Sequence, residues 1–237
     1  MERIYNTDFY VKDFDAIVTA VDGKEIELDR TAFYPGGGGQ QCDVGTLAFG
    51  GRQISIMETR KGDCGRILHV SDSDSGLSAG EKVHCSIDWS RRYGMMRHHT
   101  ALHVIDGIVE KSYGGLMTGS QIYPDRARMD LDIPNLDRTK AEEIVREAQK
   151  VIDQDHKVVM KVLTMEEARK IDGLARTRPG IELMKKLTEA RVVEIEGFDM
   201  QLDGGTHVAN TSEIGRIEFA GYESRGSHNK RVEIRLA

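Results

Sequence analysis

Polar and apolar positions alternate through most of the first 90 residues. The run "DAIVTAVDGKEIELD" alternates on either side of Asp22-Gly23 and predicts a hairpin. "VGTLAFGGRQISIMETR" does the same around Gly50-Gly51. "GRILHV" and "EKVHCSIDW" add further strands, with "SDSDSGLSAG" as the loop between them. Short strands at this spacing predict a small barrel or sandwich. From residue 91 the period changes. "RRYGMMRHHTALHVIDGIVEKSY" is apolar at helical intervals. "LDRTKAEEIVREAQKVIDQDH" predicts a second helix capped by Asp137, and "TMEEARKI" opens with the capping-box pair Thr164 and Glu167. Strand-like runs follow and intervene: "RARMDLDI", "KVVMKVLT", "ARVVEIEG", "IGRIEFAGYES" and "KRVEIRL". The fold class is therefore α+β, with a β-domain over 1–90 and an α/β domain over 91–237.

Charge changes this picture in one respect. The net charge is −6, and the whole acidic excess lies in the first 90 residues; the remainder balances. Local basic clusters stand in that remainder: "RRYGMMRHH", "ARTRP" around Arg176 and Arg178, and "SRGSHNKRVEIR" with Arg225, Lys230, Arg231 and Arg235. Such clusters contact phosphates in some proteins and are solvated surface in others. The charged N-terminal residues show no secretory signal, and no apolar run reaches a membrane span. Three cysteines without C-x-x-C spacing fit reduced thiols and a cytoplasmic location.

The candidate chemistry sits in three stretches. "FYPGGGGQQCDVG" places four glycines, Gly36 to Gly39, ahead of Gln40. Glycine loses the most backbone entropy on folding, so the run is either a loose loop or a place of close approach. "HTALH" puts His99 and His103 four apart, on one helix face, where both imidazoles reach one metal ion, meet phosphate, or pack in the core. "LDGGTHV" holds Asp203 and His207 across a glycine turn; the pair either joins that metal set or is an ordinary turn with a surface histidine.

Taken together and in this order, the three stretches resemble the editing domain of alanyl-tRNA synthetases. They are more similar still to its free-standing relatives, the AlaX-type editing proteins in their medium-length form. "GSQIYPDRARMDLDI" and "GYESRGSHNKRVEIRL" extend the resemblance over nearly the whole chain. It implies a β-barrel domain followed by an editing domain. It implies a hydrolase that deacylates mischarged tRNA(Ala), chiefly Ser-tRNA(Ala) and to some extent Gly-tRNA(Ala), sparing Ala-tRNA(Ala). It implies zinc (Zn2+) bound by an H-x-x-x-H pair and a C-x-x-x-H pair, so that His99, His103 and His207 carry over. The family's cysteine is replaced here by Asp203. A carboxylate is an ordinary zinc ligand. Asp203 joins His99, His103 and His207 in the expected metal set, either as the fourth ligand or, in the preferred arrangement, just outside three imidazoles that hold the ion.

The resemblance further implies that Gly36, Gly37, Gly38, Gly39 and Gln40 lie beside the editing pocket with Thr100 as substrate contacts. Arg225, Lys230 and Arg231 are expected to bind tRNA, Arg231 least securely because a strand neighbour can claim it. Two other readings stay open: an editor of another aminoacyl-tRNA such as Ser-tRNA(Thr), and a non-catalytic zinc-dependent tRNA-binding module.

Overall fold

The structure, a computed structural model, describes residues 1–176 and 178–237. Two compact units divide the chain, Met1–Gly94 and Met95–Ala237.

In the first unit β1 (Glu2–Arg3) is followed by β2 (Asp13–Asp22), β3 (Glu25–Leu28), β4 (Arg30–Thr31), β5 (Gly45–Phe49), β6 (Arg52–Lys61), β7 (Ile67–Ser71) and β8 (Lys82–Ile87). The short β1 and β4 pair in parallel. The other six close into a barrel in the order β2-β3-β7-β6-β5-β8. Alternation decides the inside: Ile26 and Leu28 on β3, and Val83, Cys85 and Ile87 on β8, are buried, while the residues between them are not. Both glycine turns of the sequence are present, with positive φ at Gly23 and at Gly50 and Gly51.

The four-glycine run is an ordered loop. All four residues have positive φ, +76, +137, +61 and +89 from Gly36 to Gly39, a region L side chains rarely adopt. Gly37 and Gln40 exchange both backbone hydrogen bonds at 3.0 Å, so Gly38-Gly39 is the centre of a tight turn. The base is closed by Asp43: its N–H donates to Tyr34 O at 2.9 Å, and its carboxylate accepts from Tyr34 N at 2.6 Å. Arg92, with its side chain fully buried, donates to the same carboxylate and to Ala32 O at 2.6 Å and Phe9 O at 3.0 Å. Arg91 donates to Cys42 O and Gln41 Oε1. The phosphate reading of "RRYGMMRHH" is thereby corrected for these two arginines: an ion pair and carbonyl acceptors already hold their guanidinium groups.

Helix α1 (Trp89–Tyr113) leads into the second unit, which continues with β9 (Leu116–Ile122), β10 (Ala127–Asp132), α2 (Arg138–Ile152), β11 (Val158–Thr164), α3 (Met165–Ala168), α4 (Arg178–Met184), β12 (Glu189–Ile195), β13 (Asp199–Leu202), β14 (Ile217–Ser224) and β15 (Lys230–Leu236). Its strands form two antiparallel sheets, β14-β15-β10-β9 and β11-β12-β13. Asp137 caps α2 by accepting from Lys140 N at 2.8 Å, and Thr164 and Glu167 complete the capping box of α3. Gly107, in the middle of α1, explains how that helix meets the 198–199 turn. A Cβ there would stand 2.8 Å from the Phe198 ring and 3.1 Å from the Asp199 carboxylate. Close approach offsets the ~1 kcal/mol that glycine costs in a helix relative to alanine.

Candidate metal centre

Two turns of α1 and one glycine turn build the site. His99 and His103 lie one helical turn apart on the same face and are nearly buried. β13 ends at Leu202, and the chain turns through Asp203-Gly204-Gly205 to His207, which is completely buried. That turn is pinned to β12: Asp203 N donates to Arg191 O at 3.1 Å, and Arg191 Nη2 donates to Gly205 O at 2.8 Å. The Gly205 N–H also donates to the Asp203 carboxylate.

The four side chains converge. His99 and His207 have ring centroids 4.3 Å apart, His103 and His207 4.6 Å, and His99 and His103 5.1 Å. Asp203 Oδ1 is 3.4 Å from His99 Nε2 and 3.8 Å from His103 Nε2, and Asp203 Oδ2 is 3.0 Å from His207 Nε2. All four candidate ligand atoms lie within 4.8 Å of one another. Donors about 2.0–2.2 Å from a zinc ion at tetrahedral angles sit roughly 3.3–3.6 Å from each other. The three carboxylate distances bracket that range, so the donor set fits a zinc-sized ion. Asp203 is expected either as a ligand or just outside the three imidazoles, and its oxygens lie among the imidazole nitrogens. The turn that carries His207 also folds Asp203 inward.

Electrostatics agree with this fit. Burial works to raise the Asp203 carboxyl, but the three imidazoles, His99 foremost, outweigh it and hold it well below the usual carboxylate range. Burial, with His99 beside it, holds His207 well below the ordinary histidine value despite Asp203. An ionised carboxylate and a neutral imidazole are the forms that bind a cation.

Thr100, expected above among the substrate contacts, is fully buried with its hydroxyl on protein partners. Oγ1 lies 3.1 Å from His207 Nδ1, accepts from Val208 N at 3.2 Å and donates to Met96 O at 3.0 Å. With its single proton on Met96 O, Thr100 accepts the Nδ1 proton of His207. The His207 Nε2 lone pair then faces Asp203 Oδ2, an arrangement that calls for a cation between them. Partners of this kind typically matter by ~10–100-fold in metal affinity. Replacing Thr100 by Val, which keeps the shape and removes the hydroxyl, is expected to weaken zinc binding by about that factor in a chelator competition, with Thr100→Ser close to the parent. Equal affinity in all three proteins would remove the orienting role.

A second network is absent from the sequence reading. Arg176, only 7 % exposed in its side chain, donates to Asp199 with both terminal nitrogens, at 3.1 and 2.5 Å, and to Asp106 Oδ2 at 3.3 Å. Gln201 Nε2 then donates to Asp199 Oδ2 at 2.6 Å and to the backbone carbonyl of His103 at 3.2 Å. The network ties the His103 turn of α1 to β13, the strand that ends next to Asp203. Burial raises the Asp106 carboxyl and Arg176 only partly restores it, while Asp106 Oδ1 is buried with no hydrogen-bond partner among the described residues. Arg176 is therefore corrected from a phosphate contact to a buried ion pair. The side chain of Arg178 lies outside the described residues. Of the C-terminal candidates, Arg231 holds Asp130 across the β10–β15 ladder at 2.7 and 2.8 Å, Arg225 pairs with Glu223, Lys230 donates to Ser224 Oγ, and the exposed Arg235 approaches Glu233 at 3.8 Å.

The closed barrel of one unit and the buried three-histidine, one-carboxylate cluster of the other fall in a chain that matches two profiles of tRNA synthetase domains. Residues 190–233 match a family profile described as the threonyl and alanyl tRNA synthetase second additional domain, and residues 5–91 match one described as tRNA synthetases class II (A). The chain is 40 % identical to the alanyl-tRNA editing protein AlaX-M of Saccharolobus solfataricus, over 98 % of this chain and 97 % of that protein. It is 38 % identical to the AlaX-M of Methanosarcina acetivorans, over 99 % and 98 %. The alanine–tRNA ligase of Metallosphaera sedula is 35 % identical over 94 % of this chain, which matches only 24 % of that longer protein. The chain belongs to the AlaX-M family of alanyl-tRNA editing proteins.

Proposed function

We propose that the protein hydrolyses the ester bond joining serine to tRNA(Ala) and spares alanyl-tRNA(Ala), with zinc held by His99, His103, His207 and Asp203. The observation that carries this reading is the convergence of four donors, nearly all buried, at one point of a chain whose relatives are named as alanyl-tRNA editing proteins. Zinc in such a site supplies Lewis acidity toward an ester carbonyl or a water molecule. The chain's own residues set the conditions. Thr100 keeps the His207 proton on Nδ1 and leaves Nε2 toward the other donors. Asp203 contributes the negative charge that offsets the cation, and the apolar packing of α1 keeps bulk water away from the imidazoles. The reaction suits a separate editing site. A synthetase pocket rejects an added hydroxyl only ~10²-fold, whereas a site that hydrogen-bonds the hydroxyl rejects its absence by ~10⁴ or more.

The test is turnover of seryl-tRNA(Ala) by zinc-loaded protein and by protein stripped with a chelator. Activity in the loaded form alone supports the reading. Equal activity in both removes the metal from it, and binding without turnover in either favours the non-catalytic module.

The glycine loop enters as a substrate-facing element, with Gly37 and Gly38 exposed at its tip. Gly37→Val places a β-branched residue at φ +137, a conformation costing of order 1–3 kcal/mol for any other residue. The expected outcome is impaired hydrolysis, or a changed ratio of seryl to alanyl rates, in a protein whose circular dichroism is unchanged. Parent-like kinetics on both substrates would make the loop a connector only.

A further inference from the structure

Of the cations expected to meet RNA at the C-terminus, Arg231 is held by Asp130 in a partly buried pair, which raises the question of where else exposed positive charge lies in the second unit. A groove of ≈ 1050 Å³ runs between α2 and the 212–219 segment that leads into β14. One wall is a stripe of α2, with Arg138, Glu142, Arg146 and Lys150 four residues apart and hence on one line along the helix. Arg216 stands on the opposite wall.

The walls are fixed relative to each other. Gln149 accepts from Ile217 N at 2.8 Å and donates to Gly215 O at 3.3 Å, and Arg97 of α1 donates to Ile214 O at 3.0 and 2.6 Å. The charges can be followed one by one. Arg138 pairs with Glu142 at 2.9 Å and lies over the Phe219 ring, 5.1 Å from its centroid. Asp153 accepts from Gln149 at 2.8 Å. Arg146 has only a 3.7 Å approach to Glu143, with both side chains well exposed, a contact worth little. Lys150 and Arg216 are exposed and have no side-chain partner among the described residues. Asp153 and Glu218 are the acidic residues of the lining outside the Arg138–Glu142 pair. The groove thus offers Arg146, Lys150 and Arg216 to an anion, in a rigid frame with a half-buried aromatic ring.

The groove is also near the metal cluster along the chain. Ser212, on its lip, follows His207 by five residues, so their Cα atoms are at most roughly 17–18 Å apart. We propose that this groove binds the phosphate backbone of the tRNA whose aminoacylated 3′ end occupies the metal centre. The inference rests on the editing reading above. Arg146, Lys150 and Arg216 make the phosphate contacts, and they position the RNA without reading its sequence.

The test is the double variant Lys150→Ala/Arg216→Ala in the full-length, zinc-loaded protein, with thermal melting to verify the fold. Binding of uncharged tRNA(Ala) is measured between 50 and 200 mM salt. The variant is expected to bind about tenfold more weakly at low salt, with a log–log salt slope shallower by about one to two. Its hydrolysis of 3′-O-seryl-adenosine, which has no stem to contact, is expected to match the parent. A parent-like slope in the double variant, with the parent binding and hydrolysing seryl-tRNA(Ala), overturns the groove and leaves the editing reading intact. A slope that falls instead in Arg225→Ala/Lys230→Ala places the RNA on the C-terminal hairpin and overturns it as well. A parent protein that neither binds tRNA nor hydrolyses its seryl ester overturns both.

Discussion

His103→Ala is expected to lose most of its zinc by elemental analysis and more than about 100-fold in kcat/KM on seryl-tRNA(Ala), and Asp203→Ala is expected to lose zinc to a comparable degree. The ~100-fold mark is the upper end of what partners outside the ligand set cost. Loss of a ligand exceeds it because three donors are left and a buried cation loses part of its compensation. His103 qualifies by geometry, one helical turn from His99 with its ring 4.6 Å from that of His207. Asp203 qualifies because its two oxygens stand 3.0 to 3.8 Å from all three Nε2 atoms. Full zinc in Asp203→Ala would return that carboxylate to an outer position. Full zinc in both variants would mean that the ion, if any, binds elsewhere.

The second large effect is expected at Arg176. Arg176→Ala leaves Asp106 and Asp199 buried without their cation, with Glu110 close by at 3.9 Å. Removing one partner of a buried ion pair costs about 3–5 kcal/mol. For a chain of this length that corresponds to a fall in Tm of roughly 6–20 °C. Asp199→Asn in the same background should restore part of the loss, since it removes one of the uncompensated charges. Zinc affinity should fall as well, because the Asp199–Gln201 pair steadies the His103 carbonyl. A shift in Tm below 2 °C would show that Arg176 is solvated and unimportant to the site.

These residues also show how far the sequence could be read. The i, i+4 spacing of His99 and His103 is local and follows from helix geometry alone, and the alternation of β3 and β8 fixes which side chains fill the barrel. The four-glycine loop was visible as a question, and its answer is conformational, four consecutive positive φ values. What stayed hidden depends on tertiary placement. Arg92 and Arg176 look like surface cations in the sequence, yet each meets a carboxylate 49 or 23 residues away in a buried pair. The approach of the Asp203 oxygens to all three imidazoles depends on the turn folding inward, which spacing alone does not fix. β9 escaped notice because its apolar positions are interrupted by Gly119 and its ladder with β10 shifts register at Asp130 and Leu131. The groove cations were missed because Arg146 and Lys150 belong to an ordinary amphipathic helix, and Arg216 lies 66 residues beyond Lys150.

The most direct measurement is a side-by-side deacylation of seryl-tRNA(Ala) and alanyl-tRNA(Ala) by the zinc-loaded protein. Rapid release of serine and near-complete retention of alanine are expected, with the serine activity lost in His103→Ala. Equal rates on the two substrates, or no hydrolysis of either with zinc bound, would contradict the editing reading.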